Sequence, residues 1–265
     1  MAKLEGAAEM ALTWFRNNGM KMNSDKCHLL ISGYKHEVII GNIGGKNIIE
    51  SNKVRLLGIE LDSKLSFSDH LNNILAKASS KLNALSRLCV LLPFHRKRTL
   101  MHAFILSQFK YCPLIWMCHN RGMNHKINNL HCRALHMVYD DYVSSFEQLL
   151  KIGGSITIHQ QNLRSLAIEM FKVENDLAPP FMSNIFTKIN FLEADISTHT
   201  RFRSSFYNAC NPRTRNYWLE TLRCLGPKVY EIIPDDIKLS PSLQIFKSTI
   251  KKWVPLQCPC RLCCN

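Results

Sequence analysis

The most informative feature of this 265-residue chain is what one stretch lacks, because no aspartate or glutamate occurs between Asp69 and Asp140. The same stretch contains ten lysines and arginines and seven histidines. Solvated helix faces normally mix charges of both signs, since charges of one sign repel each other. The chain has a formal net charge of +14 and a pI near 9.4. This imbalance predicts a polyanionic partner, nucleic acid or an acidic membrane surface, with an ordinary solvated surface as the alternative.

Two further absences narrow the class of protein. The longest apolar runs, such as 90–92, are far shorter than the roughly 20 residues that a membrane-spanning helix needs. No charged and then apolar leader opens the chain, and the 11 cysteines are scattered and odd in number, so neither a secretory signal nor a disulfide framework is predicted. We therefore expect an intracellular protein, nuclear or cytoplasmic, with reduced thiols and no membrane partner.

The apolar spacing predicts an α+β chain that is mainly α. Short apolar runs separated by glycines predict a small antiparallel sheet near the start. An unbroken i, i+3, i+4 stripe from Leu71 to Leu92 predicts a long amphipathic helix that ends at Pro93. The runs expected to form strands are 27–32, 37–40, 46–49 and 54–61, and further helices are expected at 7–15, 97–109, 123–139, 159–175 and 243–253.

A second acid-free stretch, 196–219, has no clear period and interleaves arginines with aromatic residues. This mixture suits phosphate contact and base stacking, but the same aromatics suit a hydrophobic core, and both interpretations stay open. The candidate nucleic-acid-binding residues of the two stretches are Lys77, Lys81, Arg87, Arg96, Lys97, Arg98, Lys110, Arg201, Arg203, Arg213 and Arg215.

The C-terminal tail has thiols at short spacing. Thiolates bind zinc, but structural zinc sites usually draw two ligands from each of two separated turns. A zinc site in this tail would therefore need a distant ligand, such as Cys210, Cys224 or a histidine, and free thiols are the alternative. The tail cysteines are Cys258, Cys260, Cys263 and Cys264.

Two motifs near the start resemble a known family. Residues 14–27 read Trp-Phe-Arg-Asn-Asn-Gly-Met-Lys-Met-Asn-Ser-Asp-Lys-Cys, and residues 53–62 read Lys-Val-Arg-Leu-Leu-Gly-Ile-Glu-Leu-Asp. The first is similar to the last palm motif of the reverse transcriptases of non-LTR (LINE-type, jockey-like) retrotransposons. The second resembles the hairpin that ends that palm and holds the primer. Shorter phrases such as 155–159 and 213–217 extend the resemblance over nearly the whole chain.

The resemblance implies three regions and a set of roles. Residues 1–66 would be a palm remnant, 67–192 a helical thumb and following helices, and 193–265 a C-terminal region with the cysteine-rich tail. Lys26 would occupy the motif lysine near the incoming nucleotide, although a surface lysine is the alternative. The primer-grip-like residues would be Leu56, Leu57 and Gly58.

Catalysis by this family depends on carboxylates that hold paired metal ions. In the family these carboxylates precede both motifs, so the resemblance implies a truncated RNA-directed DNA polymerase that does not polymerise alone and uses Mg²⁺ only if the missing palm is supplied. Such a chain would still bind RNA or an RNA–DNA template-primer. The pair Asp140 and Asp141 follows Tyr139 directly and is interpreted as a helix end and loop.

Two functions without catalysis are alternatives. One is a free-standing basic module that binds nucleic acid, and the other is a helical scaffold that binds another protein. The oligomeric state is not predicted.

Overall fold

The computed structural model describes residues 2–33, 38–186, 222–255 and Cys260. The chain divides into two compact units, Met1–Asn73 (unit 1) and Ile74–Asn265 (unit 2). The described residues are mainly helical, with two small antiparallel pairs of strands. The predicted class, α+β and mainly α, is therefore confirmed.

Unit 1 contains one helix and two β-hairpins. Each hairpin is a separate antiparallel sheet of two four-residue strands, so the single sheet that was predicted does not form. The predicted strand at 27–32 is also wrong, because this run makes only an isolated bridge from Leu29 to Glu50. Each short strand is paired by its own turn, and the two pairs share no hydrogen-bonded edge. The elements are α1 (Ala2–Asn17), a 3₁₀ turn (Ser24–Lys26), β1 (Ile40–Ile43), β2 (Lys46–Ile49), β3 (Lys53–Leu56) and β4 (Ile59–Asp62).

Every regular secondary-structure element that the structure describes in unit 2 is a helix or a helical turn. Helix α2 (Ser68–Leu88) begins in unit 1 and continues into unit 2, and it ends four residues earlier than predicted, before a 3₁₀ turn at Cys89–Leu91. The helices that follow are α3 (Phe94–Leu100), α4 (Pro113–Trp116), α5 (Arg121–Tyr139), α6 (Phe146–Ile152), α7 (Ile158–Glu174), α8 (Pro180–Ile185), α9 (Leu222–Glu231), α10 (Asp235–Lys238) and α11 (Leu243–Thr249).

The helix predicted at 97–109 changes its pitch twice. The α-helical part begins at Phe94, directly after Pro93, and gives way to a π-helical turn at Met101–Ile105 and a 3₁₀ turn at Leu106–Phe109. A π-helical turn carries one extra residue and shifts which side chains face outward. The segment therefore does not present one continuous helical face.

Side-chain caps fix where the later helices begin. Ser145 and Gln148 form a capping box at the start of α6, and Thr157 and Gln160 form another at the start of α7. In each box the hydroxyl and the amide satisfy backbone N–H groups that the helix leaves without partners. The sequence pattern Ser-x-x-Gln or Thr-x-x-Gln is therefore the signal for both starts.

A core cluster of unit 2 joins α7, α9 and α11. The rings of Phe171 and Phe246 stack with their centroids 4.2 Å apart. Helix α9 approaches α7 closely at Gly226, where an added Cβ would lie 2.7 Å from the sulfur of Met170. Cys260 belongs to this same cluster, so part of the C-terminal tail packs into the core.

Candidate nucleic-acid interface

Helix α2 separates its apolar and basic side chains within unit 2. Ala78 and Leu82 are buried, at the spacing of one helical face. Lys77 and Arg87 are exposed and Lys81 is half-buried. The hydrophobic stripe therefore packs inward while the positive side chains lie outside it.

Lys97, in the middle of the basic triplet of α3, points inward instead. Its side chain is only 6% exposed, and its Nζ lies 2.7 and 2.5 Å from the two carboxylate oxygens of Asp140. The ion pair ties α3 to the end of α5, where Asp140 adopts a left-handed conformation with φ 53°. Arg96 and Arg98 are exposed. Lys97 is therefore not available to contact a phosphate, which corrects its place among the candidate contacts.

Arg98 and Lys110 place their charges close to His102. Burial is the largest cause that lowers the pKa of His102 below its ordinary value, and the positive charges of Lys110 and Arg98 lower it further. The π-helical turn and the 3₁₀ turn carry the chain from Arg98 to Lys110. We call these three side chains the His102 cluster, and its uncompensated positive charge is suited to a phosphate.

A cleft lies between α2 and α5. Its volume is about 200 Å³. The Arg133 Nη2 donates to the Asn83 Oδ1 at 3.1 Å across it, and the rings of His136 and Tyr142 stack with their centroids 5.8 Å apart. Guanidinium and aromatic groups contact phosphates and bases respectively. The polar and aromatic side chains that line this Arg133 cleft are Asn83, Ser86, Arg133, His136 and Tyr142.

The exposed charges of these helices are not neutralised from within. Among the residues that the structure describes, five of the exposed candidates form no ion pair, whereas lysines elsewhere in the chain do. These residues are Lys77, Arg87, Arg96, Arg98 and Lys110. The positive charges of these five side chains are therefore not compensated by an ion pair within the described residues.

The primer-grip-like hairpin of unit 1 turns at the predicted place. Leu57 and Gly58 have φ of 48° and 86°, the left-handed pair that a two-residue type I′ turn requires. Glycine adopts this conformation freely, but leucine does so at a cost. Leu56 and Leu57 are 56% and 82% exposed. The hairpin therefore presents two leucines to solvent from a strained tip.

Asp62 fixes the connection from this hairpin to α2. Its carboxylate accepts hydrogen bonds from the backbone N–H groups of Lys64, Ser66 and Phe67 at 2.9 to 3.1 Å. Burial raises the pKa of Asp62, but these hydrogen bonds outweigh it and leave the pKa below its ordinary value. At the other end of the strands, Asn73 of α2 donates to Glu60 at 2.6 Å. Strand β4 is thus held both at its end, by Asp62, and near the turn, by Asn73.

Lys26 lies apart from these features in unit 1. It is exposed at the end of the Ser24–Lys26 turn. A cleft of about 510 Å³ between α1 and the first hairpin is lined by Arg16, Lys21 and Lys46 among others, rather than by Lys26. A position near an incoming nucleotide therefore stays a prediction of the resemblance.

Of the four tail cysteines that were candidate metal ligands, the structure describes Cys260. Cys260 is buried, and its Sγ lies 3.2 Å from the Nε2 of His159. Cys224 is in a disulfide bond, so the expectation of reduced thiols throughout does not hold there. Seven candidates lie outside the described residues, namely Arg201, Arg203, Arg213, Arg215, Cys258, Cys263 and Cys264.

Comparisons with protein-family models, curated proteins and solved structures give no match. The resemblance to a reverse transcriptase therefore rests on the sequence motifs alone. None of the described helices has both the length and the apolar character to cross a membrane.

Sequence reasoning missed three contributors to this surface. Tyr142 lies just beyond the acid-free stretch, while His102 and Arg133 lie inside it but were not chosen as contacts. The acid-free stretch itself was the signal that could have found Arg133. The place of Tyr142 depends on its stacking with His136, which no spacing in the sequence indicates.

Proposed function

We propose that unit 2 binds the phosphate backbone of RNA, or of an RNA–DNA template-primer, as the thumb of a truncated non-LTR reverse transcriptase. The observation that carries this proposal is the set of exposed, unpaired basic side chains on α2, α3 and the His102 cluster. A surface that places several positive charges together without acidic partners is the usual electrostatic footprint of a nucleic-acid-binding protein.

The proposal includes no independent catalysis. The 265 residues contain no aromatic-x-Asp-Asp sequence, and the Asp140 side chain neutralises Lys97. Polymerisation needs carboxylates that hold metal ions at the transferring phosphate. We therefore expect binding of a template-primer without extension of its primer, with Mg²⁺ required only if a palm with these carboxylates is supplied.

Fluorescence anisotropy with labelled duplexes tests the binding. Because phosphate contacts carry no base identity, we expect RNA hairpins of unrelated sequence to bind with similar affinity. An RNA–DNA duplex should bind comparably. Absence of binding to every duplex at micromolar protein would contradict the proposal.

A protein-binding scaffold is the second candidate, because one apolar segment is exposed. Val90 and Leu91 are 93% and 81% exposed, and Leu88 and Phe94 beside them are exposed as well. Such a run is a frequent mark of a protein contact. Gel filtration of the wild type and of a Val90→Ser, Leu91→Ser variant, with and without hairpin RNA, separates the candidates: a scaffold gives an oligomer that the variant loses and that RNA does not affect.

A further inference from the structure

The Arg133 cleft combines an apolar lining with a few polar groups. Leu82 of α2 and Met137 of α5 are buried, and they line the cleft together with Arg133, His136 and Tyr142. Pockets for drug-sized ligands have volumes of roughly 300–1,000 Å³, whereas this cleft has a volume of about 200 Å³. It therefore has room for one ring system rather than for a large molecule.

A turn after α5 places Tyr142 at this cleft. The Asp141 carboxylate accepts hydrogen bonds from the backbone N–H groups of Val143 and Ser144, each at 3.0 Å. The Nδ1 of His136 donates to the backbone carbonyl of Asp141. These hydrogen bonds hold the chain on both sides of Tyr142, so its position does not depend on a ligand.

The ring of Tyr142 is held by a neighbouring ring and is still open to solvent. It lies nearly parallel to the ring of His136, with 11° between the two planes. Tyr142 is nevertheless 74% exposed. Because His136 covers only one side, the other face of the Tyr142 ring is open. An aromatic ring fixed at the surface in this way is a platform on which another flat ring can stack.

Arg133 supplies a positive charge beside the two rings. Its Nη2 donates to the Asn83 Oδ1 at 3.1 Å, which uses one of the five N–H donors of the guanidinium. Among the residues that the structure describes, Arg133 forms no ion pair with an aspartate or a glutamate. A guanidinium presents its donors in the planar arrangement that phosphate oxygens accept. The cleft therefore joins a stacking surface for a flat ring with donors for a phosphate.

We propose that the Arg133 cleft binds one unpaired nucleotide of an RNA, with its base stacked on the open face of Tyr142 and its phosphate bound by Arg133. This binding rests on the proposed function, since the basic helices hold the RNA whose unpaired nucleotide enters the cleft. Bases inside a duplex are already stacked, so the nucleotide comes from a bulge, a loop or a single-stranded overhang. Every base has a face that can stack, so this contact does not depend on the sequence of the RNA.

Two RNA duplexes test the proposal, one blunt and fully paired and the other identical except for one bulged nucleotide. Fluorescence anisotropy measures their binding to the full chain. We expect the bulged duplex to bind the wild type roughly tenfold more tightly than the blunt one, because it adds a stacking contact. Tyr142→Leu should remove this gain in affinity. Tyr142→Phe should keep it, because phenylalanine also stacks.

Two further variants separate the roles of the cleft residues. Arg133→Gln should weaken binding of the bulged duplex and leave binding of the blunt duplex unchanged. The matched control is Phe181→Ala, which removes a ring that is 62% exposed on α8 and should keep the gain.

A fluorescent purine analogue at the bulged position reports the stacking directly, because stacking on an aromatic ring quenches its emission. The wild type and Tyr142→Phe should quench it, and Tyr142→Leu should not. If Tyr142→Leu does not fold, the comparison of the two duplexes with Arg133→Gln decides.

Equal affinity of the wild type for the two duplexes would overturn this proposal and leave the proposed function in place. A gain that survives both Tyr142→Leu and Arg133→Gln would also overturn it, because the unpaired nucleotide would then bind elsewhere. If the blunt duplex does not bind, a short single-stranded RNA decides. Binding of that RNA that Tyr142→Leu abolishes would support the cleft and contradict the proposed function, and absence of its binding would overturn both.

Discussion

The basic helices α2 to α5 and the C-terminal helices α7 to α11 differ in how their basic side chains form ion pairs. In the C-terminal helices, the Lys172 Nζ lies 2.7 Å from Glu169, and the Lys238 Nζ lies 3.2 Å from Asp235, each pair within one helix. In the basic region, five exposed side chains that the structure describes, namely Lys77, Arg87, Arg96, Arg98 and Lys110, form no ion pair, whereas Lys97 is paired with Asp140. Two pairs within single helices are therefore present in the C-terminal helices, and no ion pair is formed by these five side chains of the basic region. Positive side chains without acidic partners are what the proposed contacts with phosphates require.

The largest effect is expected from reversing exposed charges in the basic region. The double variant Arg96→Glu, Arg98→Glu should weaken duplex RNA binding roughly a hundredfold near 0.1 M salt, because two phosphate contacts become repulsive. Anisotropy titrations measure the change. The matched control Lys247→Glu, Lys251→Glu makes the same change of charge in the C-terminal region, and comparable losses in the two variants would remove the distinction between the regions.

The next largest effect is expected at the one neutralised lysine of the basic region. Asp140→Asn keeps a residue that tolerates a left-handed backbone but leaves the buried ammonium of Lys97 without its counter-ion. Because Asp140 itself is largely exposed, the cost should be roughly 2 kcal/mol, below the 3–5 kcal/mol of a fully buried pair. Urea unfolding measures it.

The variant Lys97→Met removes the other partner of this ion pair. It should lower the free energy of unfolding by less than Asp140→Asn does, and it should leave the affinity for RNA nearly unchanged. A large loss of RNA affinity would restore Lys97 as a phosphate contact.

The buried side chain of His131, within the basic region, should make the stability of the protein depend on pH. His131 is fully buried, and burial lowers its pKa to about 4, with the charge of His102 as a smaller cause. Because the folded pKa lies below the unfolded value near 6.5, the unfolded chain binds more protons between these values, and stability falls as pH falls through this window. From pH 7 to pH 5 the loss should be about 1.8 kcal/mol. Urea unfolding at both pH values measures it, and His131→Leu should reduce the dependence by about this amount, while His102, whose pKa is also lowered, keeps its own contribution; an unchanged dependence in that variant would assign it to other groups.

The smallest effect is expected where pairing is local. Glu169→Gln breaks the pair with Lys172 on α7, and surface pairs of this kind contribute about 0.3–0.5 kcal/mol. Thermal unfolding should change little, and RNA binding should not weaken. A loss of stability as large as that of Asp140→Asn would mean that the pair within α7 is as important for stability as the Lys97–Asp140 pair. It would contradict the difference drawn between the two regions.

The long helices could be predicted from the sequence, because their stripes and caps are local signals. Helices α2, α5 and α7 begin within a few residues of their predicted starts. Helix α9 was missed because Gly226 and Pro227 lie inside it. Both residues disfavour helix interiors, and the close approach to Met170 that requires the glycine is a tertiary contact.

The candidate sites were predictable only in part for the same reason. The acid-free stretch located the basic helices, but whether Lys97 points inward depends on Asp140, 43 residues away. Likewise, Cys260 was visible in the sequence as a tail thiol, whereas its approach to His159 depends on how the segment after α11 packs against α7. The spacing of residues in the sequence identifies the charged and reactive side chains, and tertiary packing determines which of them come into contact.

Salt dependence of duplex binding tests the central claim most directly. If the exposed charges of unit 2 contact phosphates, the logarithm of the association constant for a hairpin RNA should fall linearly with the logarithm of salt concentration, with a slope of about −0.9 per contact. Five unpaired contacts would give a slope of roughly −4 to −5, and Arg96→Glu, Arg98→Glu should make it shallower. Binding that is absent, or whose strength does not change with salt, would contradict the account.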